Sequence, residues 1–194
     1  MTIEKLTPMM EQYMSIKKDH PSEILFFRMG DFYEMFLQDA EIASRELEIT
    51  LTGRGTKGDG ERIPMCGIPY HAAQNYIGKL LSKGYRVAVC DQVENPAEAK
   101  GIVRREVTRI LTPGTLTDEA FLTQHRNNYL MVLTERDGRF GMCAADISTG
   151  ECLWGSYCGT SGKLTLYDDL FRLSPTEILC VPPFSSFEEI EGFC

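Results

Sequence analysis

Long apolar runs are missing from this sequence of 194 residues. No stretch approaches 18 uninterrupted apolar residues, which excludes a helical span of a bilayer. An apolar segment near the N-terminus is missing too. There MTIEKLTPMMEQYM mixes acidic with isolated apolar residues, so no secretory leader is expected and the cytoplasm is the default compartment. Paired metal ligands are lacking. Seven cysteines stand at 66, 90, 143, 152, 158, 180 and 194, an odd number without a C-x-x-C pair, and only three histidines accompany them. Neither a disulfide framework nor a zinc site is expected; free thiols fit better. A complete phosphate loop is lacking as well. GTSGKLT (159–165) contains the Gly-Lys pair, but Tyr157 and Leu164 occupy positions where the motif needs Gly and Ser or Thr.

An excess of basic charge is also absent. The net charge of −8 argues against generic nucleic-acid binding. Its distribution is uneven, however. Residues 1–115 hold 15 Lys+Arg against 16 Asp+Glu, a net of −1, and residues 116–194 hold 5 against 12, a net of −7. Within the first part, residues 54–115 hold 10 basic and 6 acidic residues, a net of +4. The chain is therefore two unlike pieces, and only the first has a basic stretch.

In the first piece, Thr7-Pro8 is a helix start, with Thr as N-cap and Pro at the first helical position, and His20-Pro21 is its stop. ILFFRM (24–29) is a continuous apolar run of strand length and reads as a buried strand. Gly30 breaks it, Asp31 can cap a following helix to about Glu48, and ITLTGR (49–54) has strand composition. GRGTKGDGER (53–62) is an exposed loop. IPMCGIPYH (63–71), with two prolines, reads as an edge strand or structured loop. A helix over 72–83 stopped by Gly84, a strand over 85–93, a turn at NPAEAKG and a strand over 103–111 follow. Residues 1–115 thus read as an α/β domain, a mixed sheet with flanking helices. Residues 116–127 read as a linker. From 128 the pattern gives three antiparallel strands turning at Asp137-Gly138 and Ser148-Thr149-Gly150, then a helix over 164–173 and a strand over 177–181. That order suggests an α/β domain only begun, in a piece of a longer protein.

Candidate chemistry is sparse. Asp146, in ADISTG, hints at a nuclease-like second domain, but no carboxylate cluster stands beside it, and Asp168 and Asp169 read as solvated helix residues. Cys66 has no evident base partner. In MGDFYEMF (29–36), Phe32, Phe36, Ala40, Ala43 and Leu47 fall on one helical stripe, which would make Phe32 core. Glu34, three residues after Asp31, would complete a capping box. Alternatively Phe32 faces outward beside an exposed Glu34, an aromatic wedge with a polar reader near a Gly-rich basic loop.

TPMMEQY, FFRMGDFYEMF, IPMCGIPYHA, VAVCDQV and RILTPGT, in this order and spacing, resemble the N-terminal mismatch-recognition domain of the bacterial MutS family over about residues 6–118. Residues 127–194 more loosely resemble the start of that family's connector domain, which implies a truncated α/β RNase H-like fold. The resemblance implies that Phe32 wedges into the minor groove at a mispaired or unpaired base and that Glu34 hydrogen-bonds that base. Met29 would pack behind the wedge. Arg54, Met65, Pro69, His71 and Arg109 would lie on segments that approach DNA. It further implies that this stretch binds mismatched double-stranded DNA without being an enzyme itself. A longer protein would add an ATPase using ATP and Mg, a homodimer whose clamps supply most of the grip, and a MutL-type partner met through the connector, all in the cytoplasm at the nucleoid. A module serving only protein–protein assembly, with Phe32 buried, is the rival reading.

Overall fold

A computed structural model of the chain describes residues 7–55, 62–94, 101–117, 121–122, 126–184 and 190. Most of the expected Gly-rich loop (56–61), the turn at 95–100 and much of the linker fall outside the described residues. The chain divides into two compact units, Met1–Thr112 and Pro113–Cys194.

In the first unit α1 (Pro8–Asp19) begins as its sequence dictates. The Thr7 hydroxyl accepts from the Met10 amide at 3.3 Å, and Lys17 and Lys18 lie in the last turn. Next come β1 (Glu23–Met29), β2 (Phe32–Phe36) and α2 (Leu37–Leu47). β3 (Thr52–Arg54), β4 (Ile63–Pro69), α3 (Ala73–Ser82), β5 (Arg86–Gln92) and β6 (Arg105–Leu111) complete the unit. The strands form one mixed sheet in the order β3-β4-β2-β1-β5-β6, with β1 and β5 parallel and the other pairings antiparallel. The apolar runs of β1 and β5 are its middle, and Leu25, Phe26, Phe27, Val87, Ala88, Val89 and Cys90 are fully buried. On one face, Met10 and Tyr13 of α1 pack with Leu25, Phe27, Phe36, Ala88 and Cys90.

Four expectations for this unit need correction. Residues 32–36 are not helical: they form a strand, and the helix starts only at Leu37. Met29 and Phe32 close a two-residue hairpin whose first central residue, Gly30, has φ +58°, the pattern of a II′ turn. Leu37 then takes φ +55°, which swings the chain from strand into helix. The Asp31–Glu34 capping box does not exist. β4 is internal rather than an edge strand. Pro69 is tolerated because β3 covers only Ile63–Met65, so it faces no neighbour on that side, and Pro64, opposite Gly53, lies beyond the stretch Met65–Pro69 that pairs with β2. The strand expected over 49–54 is confined to Thr52–Arg54.

In the second unit β7 (Tyr129–Arg136), β8 (Arg139–Asp146) and β9 (Glu151–Cys158) form the expected meander, and β10 (Glu177–Val181) joins parallel to β7. Asp137 and Gly138 both have positive φ, at +52° and +69°, as a type I′ turn requires. α4 (Gly159–Leu173) starts five residues earlier than its apolar periodicity predicts, so GTSGKLT forms its first turns instead of a turn before it. Leu166 and Leu170 of α4 cover Met131, Leu133, Met142 and Ala144. The opposite face carries Leu179, Val132, Cys143 and Trp154 in one row across the sheet. Among the described residues no helix is long and apolar enough to cross a membrane.

Candidate nucleic-acid interface

Strand alternation puts every second residue of β2 on one face of the sheet, and register sets its neighbours. Phe32 stands between Met29 of β1 and Pro69 of β4. Glu34 stands between Phe27 and Gly67, which has no side chain to cover it. Phe36 stands beside Met65. This is the face that α1 covers, but the cover fails along β2: Phe36 is 0% exposed and Phe32 is 47% exposed. An aromatic ring therefore projects at the hairpin end of the sheet, with a carboxylate two residues on along the same face.

The structure brings Phe32, Glu34, Met29, Met65 and Pro69 into adjoining rows of three strands. Arg54 joins them through its side chain, whose guanidinium donates to Glu34 Oε2 at 2.8 Å. Both ends of that ion pair are partly solvated, so it contributes at most about 1 kcal/mol and can be exchanged for another partner. His71 is exposed in a single 3-10 turn (Tyr70–Ala72), its ring edge-on to Tyr70 at 5.9 Å. Arg109 is not in the group. It lies exposed on the edge strand β6, in register with Val89, and β1 and β5 separate β6 from β2.

Two features of the site escape the sequence. Arg28 lays its guanidinium over the Tyr70 ring at 3.7 Å, next to the hairpin tip. Arg105 is buried at the foot of the Met29–Phe32 row, whereas its neighbour Arg104 is exposed and reaches Glu106 at 3.4 Å. Nothing local separates these adjacent arginines; only the register of β6 decides which one faces inward. Tyr33, on the opposite face, donates to Asp91 at 2.5 Å, and burial together with that carboxylate pushes its phenol up to about 12.

The other candidates have structural work. Cys66 is buried and donates to the Ala40 carbonyl at 3.4 Å; burial and the nearby Asp39 push its thiol up to about 12, far from thiolate chemistry. Asp168 is exposed, while Asp169 accepts from Tyr157 at 2.7 Å and from Arg172 at 2.7 Å. Asp146 is buried, and its carboxylate accepts from the amides of Asn128 at 3.0 Å and Ser148 at 2.8 Å and from the Ser148 hydroxyl at 2.6 Å. Burial would raise its pKa, but these bonds outweigh it and hold the carboxyl below the usual range. A carboxylate of depressed folded pKa contributes stability above its unfolded pKa and loses it as pH falls through the folded value. Asp146→Ala is therefore expected to destabilise the chain by about 1–3 kcal/mol at neutral pH. The difference from wild type should shrink below about pH 4. Urea titrations at both pH values check this, and an equal difference at both would refute it.

Comparison with known proteins assigns the sequence to a family. A family model described as MutS domain I matches residues 7–120, and one described as MutS domain II matches residues 128–192. Three proteins named DNA mismatch repair protein MutS illustrate the similarity. The one from Pelotomaculum thermopropionicum is 57% identical over 171 residues, which is 88% of this chain and 20% of the relative. The one from Desulforamulus reducens is 53% identical over 185 residues, 95% of this chain and 21% of the relative. The one from Acetivibrio thermocellus is 52% identical over 186 residues, 96% of this chain and 21% of the relative. The chain thus spans about a fifth of the length of these curated relatives. The sheet that carries Phe32 and Glu34 lies within the domain I match, and the second unit's meander within the domain II match: this chain belongs to the MutS family.

Proposed function

We propose that this chain recognises mispaired or unpaired bases in duplex DNA, inserting Phe32 from the minor groove while Glu34 contacts the base, and so initiates mismatch repair. The observation that carries the reading is the Phe32 ring, half exposed at a sheet end and flanked on its own face by a carboxylate.

Inserting an apolar wedge between base steps takes about a few kcal/mol of unstacking and kinks the duplex. A mispaired step is already weakened, so the same deformation is easier there, and the protein reads deformability rather than sequence. Stacking of an aromatic ring returns roughly 1–3 kcal/mol and accepts any base, which suits a sensor of many different mispairs. Arg54, Arg28 and His71 at the rim would position the module on the backbone without reading bases. With a net charge of −8, the chain alone neutralises few phosphates and binds weakly. In a protein of the relatives' length a second copy would add grip. An ATPase region using ATP and Mg would act on the recognition event, and a MutL-type partner would dock through the second unit. This stretch itself is a binding module and catalyses nothing.

Glu34 makes the test. Its charge repels the phosphates of an intact duplex, and it is tolerated at a mismatch because a base hydrogen bond replaces Arg54. Glu34→Ala, in a protein extended to its relatives' length, is expected to raise matched-duplex affinity at least about threefold at low salt. The freed Arg54 can then reach a phosphate, so the salt slope should steepen by up to about one. Fluorescence anisotropy with matched and mismatched duplexes reads both quantities. Discrimination equal to wild type, or tighter, would overturn the role of Glu34.

A further inference from the structure

A buried arginine needs a reason, because desolvating a guanidinium is costly and is usually offset by a carboxylate. Arg105 has no such partner among the described residues; every hydrogen bond it makes is to a neutral group. Its Nε donates to the Arg28 carbonyl at 2.5 Å. One terminal nitrogen, Nη1, donates to Gln12 of α1 at 3.0 Å and to the Val103 carbonyl at 2.8 Å. The other, Nη2, donates to Met29 Sδ at 3.4 Å. The group lies over the Phe27 ring at 4.9 Å. Burial pushes its pKa down, and Cys90 and, less, Glu34 pull the other way.

These bonds converge on one place. Met29 is the register partner of Phe32, and Arg28 is the residue before it. On the other side of Phe32 stands Pro69, whose ring makes it stiff. Met29 is the soft neighbour, an unbranched side chain with three rotatable bonds. The planar fork of Arg105 holds its sulfur and the carbonyl beside it, and ties both to α1 and to β6. A wedge must arrive rigid, since any freedom lost when it stacks is subtracted from the binding energy at the mismatch.

We propose that Arg105 is a positioning residue for mismatch recognition: it clamps the Met29 end of β1 and so fixes the direction in which Phe32 leaves the sheet. Arginine is required and lysine does not suffice. A single ammonium has the charge but cannot serve a backbone carbonyl, an amide oxygen and a sulfur from three corners of one plane. This rests on the wedge reading of Phe32, and the test separates the two.

Arg105→Lys and Met29→Leu are made in a protein of the relatives' full length, with Phe32→Ala alongside. Each is titrated with matched and mismatched duplexes over a range of salt. A 2-aminopurine placed next to the mismatch reports unstacking as a rise in fluorescence. Arg105→Lys is expected to lower the mismatched-to-matched affinity ratio by roughly tenfold. Met29→Leu, which removes only the sulfur acceptor, should lower it less. In both, the 2-aminopurine signal at saturation should fall while the salt slope holds. Unaltered ratios and fluorescence in both variants would overturn the proposal. So would equal weakening on both duplexes with a salt slope reduced by about one, the signature of a phosphate contact. If Arg105→Lys does not fold, Met29→Leu decides by the same readings. A Phe32→Ala protein that still discriminates shows instead that the wedge reading fails; one that does not, beside unaffected Arg105→Lys and Met29→Leu, shows that only the clamp does.

Discussion

Phe32→Ala, in a protein of the relatives' full length, is expected to bind mismatched and matched duplexes alike. The ring is half exposed and its loss leaves no cavity, so folding should change little. What disappears is the stacking on an unpaired or mispaired base, roughly 1–3 kcal/mol. At about 1.4 kcal/mol per factor of ten, that is a fall of about 5- to 150-fold in the affinity ratio. The loss should fall on the mismatched duplex, because an intact step resists insertion and gains little from the ring in wild type. ATP hydrolysis without DNA should persist, since it would reside elsewhere in a longer chain. Competition binding with a single-mismatch duplex and its matched counterpart is the measurement. A variant that keeps its preference would mean that Phe32 does not read DNA, whatever family the chain belongs to.

The largest expected effect on stability lies at Asp39. This carboxylate is buried between α1, β1 and α2 and accepts from the Lys17 ammonium at 2.9 Å, the Tyr13 hydroxyl at 3.1 Å and the Leu25 amide at 3.0 Å. Tyr13 also donates to the Phe36 carbonyl at 3.2 Å, and Lys17 to the Glu23 carbonyl at 2.6 Å. Burial and the Asp39 charge together push the Tyr13 phenol well above its ordinary value, so it stays protonated and serves as a donor. Asp39→Ala would strip the Leu25 amide of its partner inside the sheet and leave Lys17 with a carbonyl alone. Removing one member of such a buried pair costs about 3–5 kcal/mol, a large share of a domain's total of roughly 5–15 kcal/mol. Asp39→Asn keeps one acceptor oxygen and should cost less. Urea unfolding followed by far-UV circular dichroism checks both, and a loss under about 1 kcal/mol for Asp39→Ala would show the network to be dispensable.

The two effects are linked through the fold. Asp39 sits in the first turn of α2, directly after the strand that carries Phe32 and Glu34, and its bonds tie that turn to α1 and β1. Phe32 and Glu34 thus emerge from a segment anchored at its far end by a buried polar network. The Arg54–Glu34 pair at the near end is only partly buried. The mismatch-sensing role proposed above would draw on that contrast: a stiff base beneath a carboxylate that can change partners.

Much of this was legible in the residues. The run at 24–29 reads as a buried strand and 85–93 as a strand, and both lie in the sheet with fully buried residues at 25–27 and 87–90. Asp137-Gly138 supplies two positive φ angles and so a tight hairpin. Thr7-Pro8 starts a helix from local chemistry alone. Phe32 and Glu34 were singled out by family resemblance, and the matches to MutS domains I and II bear out that resemblance. Segment 32–36 was not legible. Phe32, Phe36 and Ala40 fit a helical stripe, while Phe32, Glu34 and Phe36 fit one face of a strand, so local periodicity supports both. The choice was made by β1 and β4, which pair with β2 on either side and are brought there by the rest of the chain.

By itself the sequence determined those features whose cause lies within a few residues: caps, tight turns, doubly buried strands and the motif that marks the family. Only the tertiary structure decided that Phe32 belongs to a strand and stands in solvent, that Glu34 meets Arg54, and that Arg105 rather than Arg104 turns inward beneath Met29. Strand pairing is non-local and its side chains alternate. A register set by distant partners therefore assigns each residue to the core or to the surface, and no short stretch of sequence contains that information.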